Sequence, residues 1–493
     1  MLAVLESIWP WLLLLAAVAH FVLVGCFMVW VLMTKAEATS AVAWLLVLAF
    51  LPGIGIVAFL LFGNQHVNRP LRRKRIHRAT YRDPPATAGY KEASAASIPG
   101  EPRCEPTGPK TLGESLSELA KRFDGSEVTQ GNRIDLYREG NSAFAAIFEA
   151  IAAAKSHIHV ETYILHDDEL GRRLIAALTE KARAGVEVRV LYDAIGSYRT
   201  PARMLQPLLD AGGKATLFLP IALLRRRFQV NLRNHRKVLV VDGTTGFIGG
   251  LNFGDEYVGK SAYFGFWRDT HLRLVGPGAV DLQRVFAEDW DFASGEHLGD
   301  PKYYTPLKDQ GAHAVQIIDS GPDQEVKAIR EVVFAAISKG CRRIWIASPY
   351  FVPDAALLDA LCLAGYTGVD VRLLGQLKPD KWLPQFAARY YWTHVLRAGV
   401  RVYQYKGGMM HAKTVLVDDA FVSIGSANLD NRSMFLNFEA NCLIYSPIVA
   451  KELETLLLQD FADSVEIEPK KYAERSLPGR LAENACRLFS PIL

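Results

Sequence analysis

Residues 235–242 read HRKVLVVD and residues 411–418 read HAKTVLVD, the same histidine, lysine and aspartate at the same spacing, 176 positions apart. The agreement continues past the aspartate. Counted from each histidine, glycine stands at +14 (Gly249, Gly425), a small residue at +15 (Gly250, Ser426) and asparagine at +17 (Asn252, Asn428). A match of this length at one register means that the chain holds two copies of one unit, so its fold is built twice.

The text before each motif repeats as well. SAFAAIFEAIAAAKS has helical periodicity, HIHVETYI alternates as a strand, ELGRRLIAALTEKARAG is an amphipathic helix, and VEVRVLYD is a second strand. In the second half EVKAIREVVFAAISKG, RRIWIASPYF, AALLDALCLAGYTG and VDVRLLGQ follow in the same order. This order predicts two similar α/β domains, each a mixed sheet flanked by helices. The expected boundaries are 112–305 and 306–493.

On a strand, residues two apart share a face. His235 and Lys237 therefore point one way, as do His411 and Lys413. Apolar packing alone does not ask for that pair, since lysine resists burial without a partner. The aspartates sit seven residues after each histidine, an odd offset, in turn-like text (DGTTG and DDA). Asp242 and Asp418 are therefore expected to close a hairpin or to brace other groups.

Two such sets suit a phosphodiester. Lysine and asparagine donate to phosphoryl oxygens, and histidine serves as nucleophile or proton carrier. Two histidines facing one phosphorus permit a double displacement: one attacks, the other protonates the leaving alcohol and deprotonates the incoming one. The lysines and asparagines supply the electrostatics, so this chemistry requires no metal or other cofactor.

The N-terminus reads as a membrane anchor. Residues 8–33 and 41–63 carry no Asp, Glu, Lys or Arg, and each exceeds the roughly 18–20 apolar residues that cross a bilayer core. The short link predicts a transmembrane helical hairpin, with the anchor over residues 1–65. A signal peptide is the competing reading of the first segment, but a basic start is missing and the apolar run is long. Pro52 and Gly53 interrupt the second, which leaves a shallow re-entrant hairpin open. RPLRRKRIHR (69–78) follows, with six basic residues and no acid. Such a run beside a span favours the cytoplasmic side and anionic headgroups. The Pro- and Ala-rich text over 79–110 reads as a linker.

The formal net charge is +4, less than that one run supplies, so the body is nearly neutral. This disfavours a nucleic-acid binder, which wants a basic body. The six cysteines form no CxxC pair and read as scattered reduced thiols.

These features carry a resemblance. NHRKVLVVDG…IGGLNFGDEY, WRDTHLRLVGP, SGPD, SPYFVPD and HAKTVLVDD…IGSANLDNRS…LNFE, with an N-terminal segment ending FLLFGN, resemble the phospholipase D superfamily, and within it the bacterial cardiolipin synthases with a membrane hairpin. The resemblance implies a bilobal α/β body with the site on a pseudo-twofold axis. It implies a phosphatidyltransferase of the inner membrane that joins two phosphatidylglycerol molecules through a phosphatidyl–histidine intermediate. Carried onto this chain, the catalytic set is His235, Lys237, Asp242, His411, Lys413 and Asp418, with His235 as nucleophile and His411 as acid and base. Asn252 and Asn428 would join the lysines in holding phosphate. Asp269 and Glu439 would orient the imidazoles, with a plain salt-bridge role as the alternative. Phospholipid substrates and a membrane are the implied partners, with no nucleic acid; a hydrolytic phospholipase D, a tethered nuclease and a non-enzymatic scaffold are the competing classes.

Three further stretches have two readings each. PIALLRRRFQVNLRN (220–234) is a lipid-facing segment or a solvated loop. LPGRLAENACRLFSPIL (477–493) is an amphipathic helix on the bilayer or a helix packed on the body. His157, His159 and His166 suggest a metal, but no acidic or cysteine set completes the pattern, and a structural role is expected.

Overall fold

Each half of the repeat forms a sheet with the same order of seven strands, and in the second half Ser464–Glu466 adds one more at the edge. The structure, a computed structural model, describes residues 2–34, 38–60, 74, 81, 111–220, 231–305, 307 and 309–493. In the first half the strands are β1 (Thr129–Glu139), β2 (His157–Thr162), β3 (Glu187–Asp193), β4 (Lys214–Phe218), β5 (Val238–Val241), β6 (Thr245–Gly249) and β7 (Trp267–Val275). In the second they are β8 (His313–Ser320), β9 (Arg343–Ala347), β10 (Asp370–Gln376), β11 (Arg401–Tyr405), β12 (Thr414–Val417), β13 (Phe421–Gly425) and β14 (Asn437–Tyr445).

The first sheet runs β4-β3-β2-β5-β6-β7-β1, parallel through its first three strands and antiparallel beyond. The second runs β11-β10-β9-β12-β13-β14-β8 in the same senses. Parallel neighbours need crossovers, which are Glu169–Arg183 and Ala202–Asp210 in the first half and Ala355–Tyr366 and Trp382–Arg397 in the second, while Gly140–Ala153 and Ala328–Lys339 lead from the edge strand of each sheet to its middle. The repeat extends to capping: Asp168 accepts from the Gly171 N–H and Asp354 from the Leu357 N–H, each fixing the start of the second helix.

The two sheets bury one face against each other. Val238 and Val240 point into this shared core with Ile248, Leu272, Leu416, Val422, Ile424 and Ile444. The alternate residues, Leu239 and Val241, face the helices of the first half, and Val415 and Val417 those of the second. Both faces of β5 and β12 are therefore buried, which explains their unbroken apolar text.

The helix Leu112–Asp124, fixed by a capping box between Thr111 and Glu114, comes first in sequence but packs in the second half. Its Leu116 and Ala120 lie in one core with Ile318, Val332 and Ile337. Its apolar stripe needs a surface to cover, and β8 with Ala328–Lys339 offers one.

The N-terminal segments are described by themselves. Leu2–Thr34 is one helix, and its window Ala17–Thr34 is long and apolar enough to cross a bilayer. The segment expected to span over 41–63 is instead broken into Ala38–Phe50 and Pro52–Ala58. Pro52 disfavours helical backbone at Leu51, which takes φ −132°. Phe59 is buried with its ring 5.5 Å from that of Trp30 and 5.2 Å from that of Trp44.

Two other expectations change. Lys74, read with its run as facing lipid headgroups, is fully buried in the body and paired with Glu288 and Asp289. Burial works against its charge, but the two carboxylates outweigh it and raise its pKa. Cys341 is disulfide-bonded, while Cys26, Cys362, Cys442 and Cys486 are free. The rest of the basic run, the linker apart from Tyr81, and residues 221–230 with their arginine cluster lie outside the described residues.

The placement of the first body helix has a direct consequence. Leu116→Ala should lower stability by about 2–4 kcal/mol, as for other leucines truncated in a core, in thermal unfolding of the detergent-solubilised protein. An unchanged transition would return this helix to the linker.

Candidate active site

The site is assembled by two short backbone ladders, one on each side of the repeat axis. Arg233–Asn234, just before the first motif, pairs in parallel with Asn437–Phe438 at the start of β14. Met409–Met410, just before the second, pairs in parallel with Trp267–Arg268 at the start of β7. The His235 N–H then donates to the Phe438 carbonyl, and the His411 N–H to that of Arg268. Each histidine is thus delivered beside the next residue of the opposite half, and that residue is a carboxylate.

The result is a crossed pair. His235 Nδ1 lies 3.0 Å from Glu439 Oε1, and His411 Nδ1 lies 2.8 Å from Asp269 Oδ2. Both carboxylates are fully buried. Asp269 Oδ1 also accepts from the Thr270 N–H, and Glu439 accepts from the Ser426 hydroxyl and the Asn437 amide. With Nδ1–H donated to an ionised carboxylate, each ring presents Nε2 as its free nitrogen.

The two small residues at +15 differ for a reason. A Cβ at Gly250 would lie 2.1 Å from Asp269 Oδ1, so only glycine fits against that carboxylate. At the equivalent place Ser426 uses its hydroxyl to hold Glu439.

Lys237 and Lys413 converge on the same space. Each ammonium donates to the carbonyl of its own motif histidine. Lys413 Nζ also lies 2.9 Å from His411 Nδ1, while Lys237 Nζ sits 5.6 Å from the centre of the Tyr163 ring. Burial lowers the lysine pKa values to about 7 for Lys237 and about 8 for Lys413, against the pull of Glu439 and Asp269. Burial and the lysine charges likewise push His235 down to about 3 and His411 to about 4. Burial would raise the two carboxyls, but their histidine partners outweigh it and hold both below the usual carboxylate range. Neutral imidazoles thus stand between ionised carboxylates and weakly held ammonium protons.

A cavity of about 250 Å³ opens beside His235, lined by Tyr163, Arg233, Lys381, Asn428, Asp430 and Arg432 among others. Burial pushes the Asp430 carboxyl up to about 6. The two asparagines are not equivalent. Asn428 borders this cavity, and its Oδ1 has no hydrogen-bond partner among the described residues. Asn252 is committed elsewhere, accepting from the Ile164 N–H and donating to the Tyr257 hydroxyl at 2.8 Å.

The motif aspartates, which the resemblance places with the catalytic set, bond backbone groups at the ends of neighbouring strands. Asp242 accepts from the N–H groups of Lys155, Ser156 and His157, and Asp418 from those of Cys341, Arg342 and Arg343. Both have positive φ, 54° and 52°, at the turn that follows β5 and β12. They tie the central antiparallel pair of each sheet to the start of its neighbour.

A buried network that the sequence reading missed backs His235. Arg236, the middle residue of HRK, pairs with Asp289 and Asp319 and donates to the Glu439 carbonyl. Asp289 also pairs with Lys74. An arginine between the two motif positions, on the opposite face of an apolar strand, was the available signal. His157 and His159 lie in a packed aromatic cluster, His159 stacking on Phe286 at 4.5 Å; His166 sits near Asp168 and Glu256.

Comparison with known proteins agrees with this geometry. Residues 147–263 and 333–461 match the family described as "Cardiolipin synthase, PLD-like domain", and residues 21–64 match "Phospholipase D-nuclease N-terminal". The cardiolipin synthase of Geobacillus thermodenitrificans is 39% identical over 96% of this chain and 93% of its own length. Cardiolipin synthase 2 of Bacillus anthracis is 38% identical over 96% of this chain and 90% of its own.

The chain belongs to the cardiolipin synthase family. It is an enzyme of phospholipase D type, a phosphatidyltransferase. Its fold is shared with phosphatidylserine synthase of Haemophilus influenzae Rd KW20, at a TM-score of 0.58 and 17% identity over 77% of this chain and all of that one. These matches, with the apolar helix, associate the protein with a membrane.

The lysines set the pH dependence. Each is charged below its pKa and neutral above it, so kcat/KM should fall as pH rises through about 7 to 8. A pH–rate profile on the wild type that stays flat from 6 to about 9.5 would mean that both ammoniums keep their protons.

Proposed function

We propose that the protein joins two phosphatidylglycerol molecules into cardiolipin and releases glycerol. The reading is supported above all by the crossed pair: two Nδ1-anchored imidazoles, one from each half, with two lysines between them. Nε2 of His235 attacks the phosphorus of the first lipid. The bond to the glycerol oxygen breaks, and His411, entering this step as the imidazolium that Asp269 and the bound phosphodiester stabilise, gives that oxygen a proton from Nε2. The phosphatidyl group is then held on His235. His411 next takes the proton from a glycerol hydroxyl of the second lipid, whose oxygen attacks phosphorus and frees His235.

Lys237 and Lys413 hold the phosphoryl oxygens as charge builds on them, and Asn428 faces the same cavity. Glu439 and Asp269 keep each ring in the required tautomer and stabilise it when it carries the extra proton or the phosphatidyl group. His235 takes the nucleophile's role because it borders the cationic cavity, where an anionic lipid would sit.

The chemistry is tested by supplying labelled phosphatidylglycerol in mixed micelles and identifying products. Cardiolipin with free glycerol is expected; phosphatidic acid alone would make the protein a hydrolase. His235→Ala and His411→Ala should each lower turnover by at least about 10³-fold while the protein stays folded, as expected when residues act as a unit. Near-normal turnover in either variant would sink the shared site.

Two apolar segments before the basic run 69–78 support a multi-pass anchor with the body on the cytoplasmic face. The Cys341 disulfide counts against that face. Protease digestion of sealed inverted and right-side-out vesicles decides: cleavage of the body in inverted vesicles alone is expected, and cleavage in right-side-out vesicles would reverse the assignment.

A further inference from the structure

The last helix of the chain, Leu477–Arg487, is divided along its length. One face is packed: Glu483 and Cys486 are buried, and Cys486 lies in a small core with Ala387 and Val352. Arg475 bonds Glu483 and the Thr393 hydroxyl, Arg487 bonds the Tyr390 hydroxyl, and Ser490 bonds the Tyr391 hydroxyl. The helix is therefore held on Trp382–Arg397 by contacts at both ends.

The opposite face is apolar and uncovered. Leu477, Leu481 and Leu488 fall on one stripe at helical spacing, and they are 76%, 70% and 73% exposed. Arg480 flanks the stripe. Trp382, at the start of the helix on which this one packs, is 67% exposed, next to the exposed Lys381. A soluble helix that hides only polar and small residues while presenting three leucines is inverted relative to its energetic interest, since each leucine withheld from water is worth about 1.5–3 kcal/mol.

The chain that adjoins this helix reaches the active site. Lys381 and Pro384, at the start of Trp382–Arg397, and Ile492 and Leu493, a few residues past the last helix, line the cavity beside His235. Apolar residues that anchor, a tryptophan at the edge and basic side chains beside them are the composition of an interfacial helix on an anionic bilayer.

We propose that the face formed by Leu477, Leu481, Leu488 and Trp382 seats on the surface of the lipid bilayer and brings the mouth of the His235 cavity to the level of the headgroups. A lipid then moves from bilayer to cavity along Lys381 without its chains crossing water. The inference rests on the phosphatidyltransferase reading.

The test uses the full-length protein in proteoliposomes containing phosphatidylglycerol. An environment-sensitive dye on Leu481→Cys, read against the parent chain labelled in the same way, should be quenched by lipids carrying a spin label near the headgroup and shielded from aqueous iodide. The triple variant Leu477→Gln, Leu481→Gln, Leu488→Gln should turn over bilayer phosphatidylglycerol about tenfold more slowly, yet keep its rate on a short-chain, monomerically dissolved phosphatidylglycerol. Full access to iodide without lipid quenching, or an equal loss on both substrates, would overturn the proposal. Shielding from iodide that depends on protein density rather than on lipid would also overturn it, and would give the face to a second copy of the chain. Parent protein that makes no cardiolipin from either substrate would instead fail the functional reading, and the dye result would stand apart from it.

Discussion

The catalytic centre depends on a hydrogen bond that neither half can make alone. Each imidazole is oriented by a carboxylate from the other copy of the repeat, His235 by Glu439 and His411 by Asp269. Two-residue parallel ladders fix that exchange, because each ends immediately before one member of the pair. The halves are also fused by a core in which Val238 and Val240 meet Leu416 and Val422. A mispaired half would thus lose its orienting carboxylates and expose apolar strand faces together.

Such an arrangement buries charges that would ordinarily resist burial. Two carboxylates and two lysines share the space between the sheets, and desolvation opposes each of them. The carboxylates remain ionised because they have histidine, hydroxyl and backbone donors. The lysines do not have a full set of partners, and their pKa values fall accordingly. A bound phosphodiester supplies the missing negative charge, so the site is electrostatically complete only when substrate is present. Behind it Arg236, Asp289, Asp319 and Lys74 form a second, self-compensated layer that holds the motif strand from the far side.

Much of this was legible in the sequence because it is written twice. The helix-strand order, the burial of β5 and β12, and the pairing of His with Lys on one face all follow from period and repetition. The odd offset of Asp242 and Asp418 pointed to their role in tying backbone, where motif membership alone pointed to catalysis. What could not be read is what one sequence position says about a distant one. Nothing local tells that the helix Leu112–Asp124 crosses to the second half, that Lys74 leaves its basic run for an acidic pocket, or that Asn252 spends its amide on Tyr257. Periodicity likewise showed that 477–488 is amphipathic, but both of its faces looked usable until the packed one was known.

The repeat keeps one strand order in both halves and is unequal in chemistry. At equivalent positions Arg233 stands against Met409, Asp193 against Gln376, and Asp430 against Gly254. All three charged members of these pairs gather on the His235 side, where Arg233 pairs with Asp193 and where Asp430 lines the cavity. The His411 side carries Trp267 and Tyr257 rings instead, 5.2 and 6.4 Å from the imidazole. A double displacement asks unlike things of its two histidines: one must lie open to an anionic phosphorus, and the other must hold and return a proton in a shielded place. Duplication supplied two identical frames, and the departures from identity are concentrated where the two roles diverge.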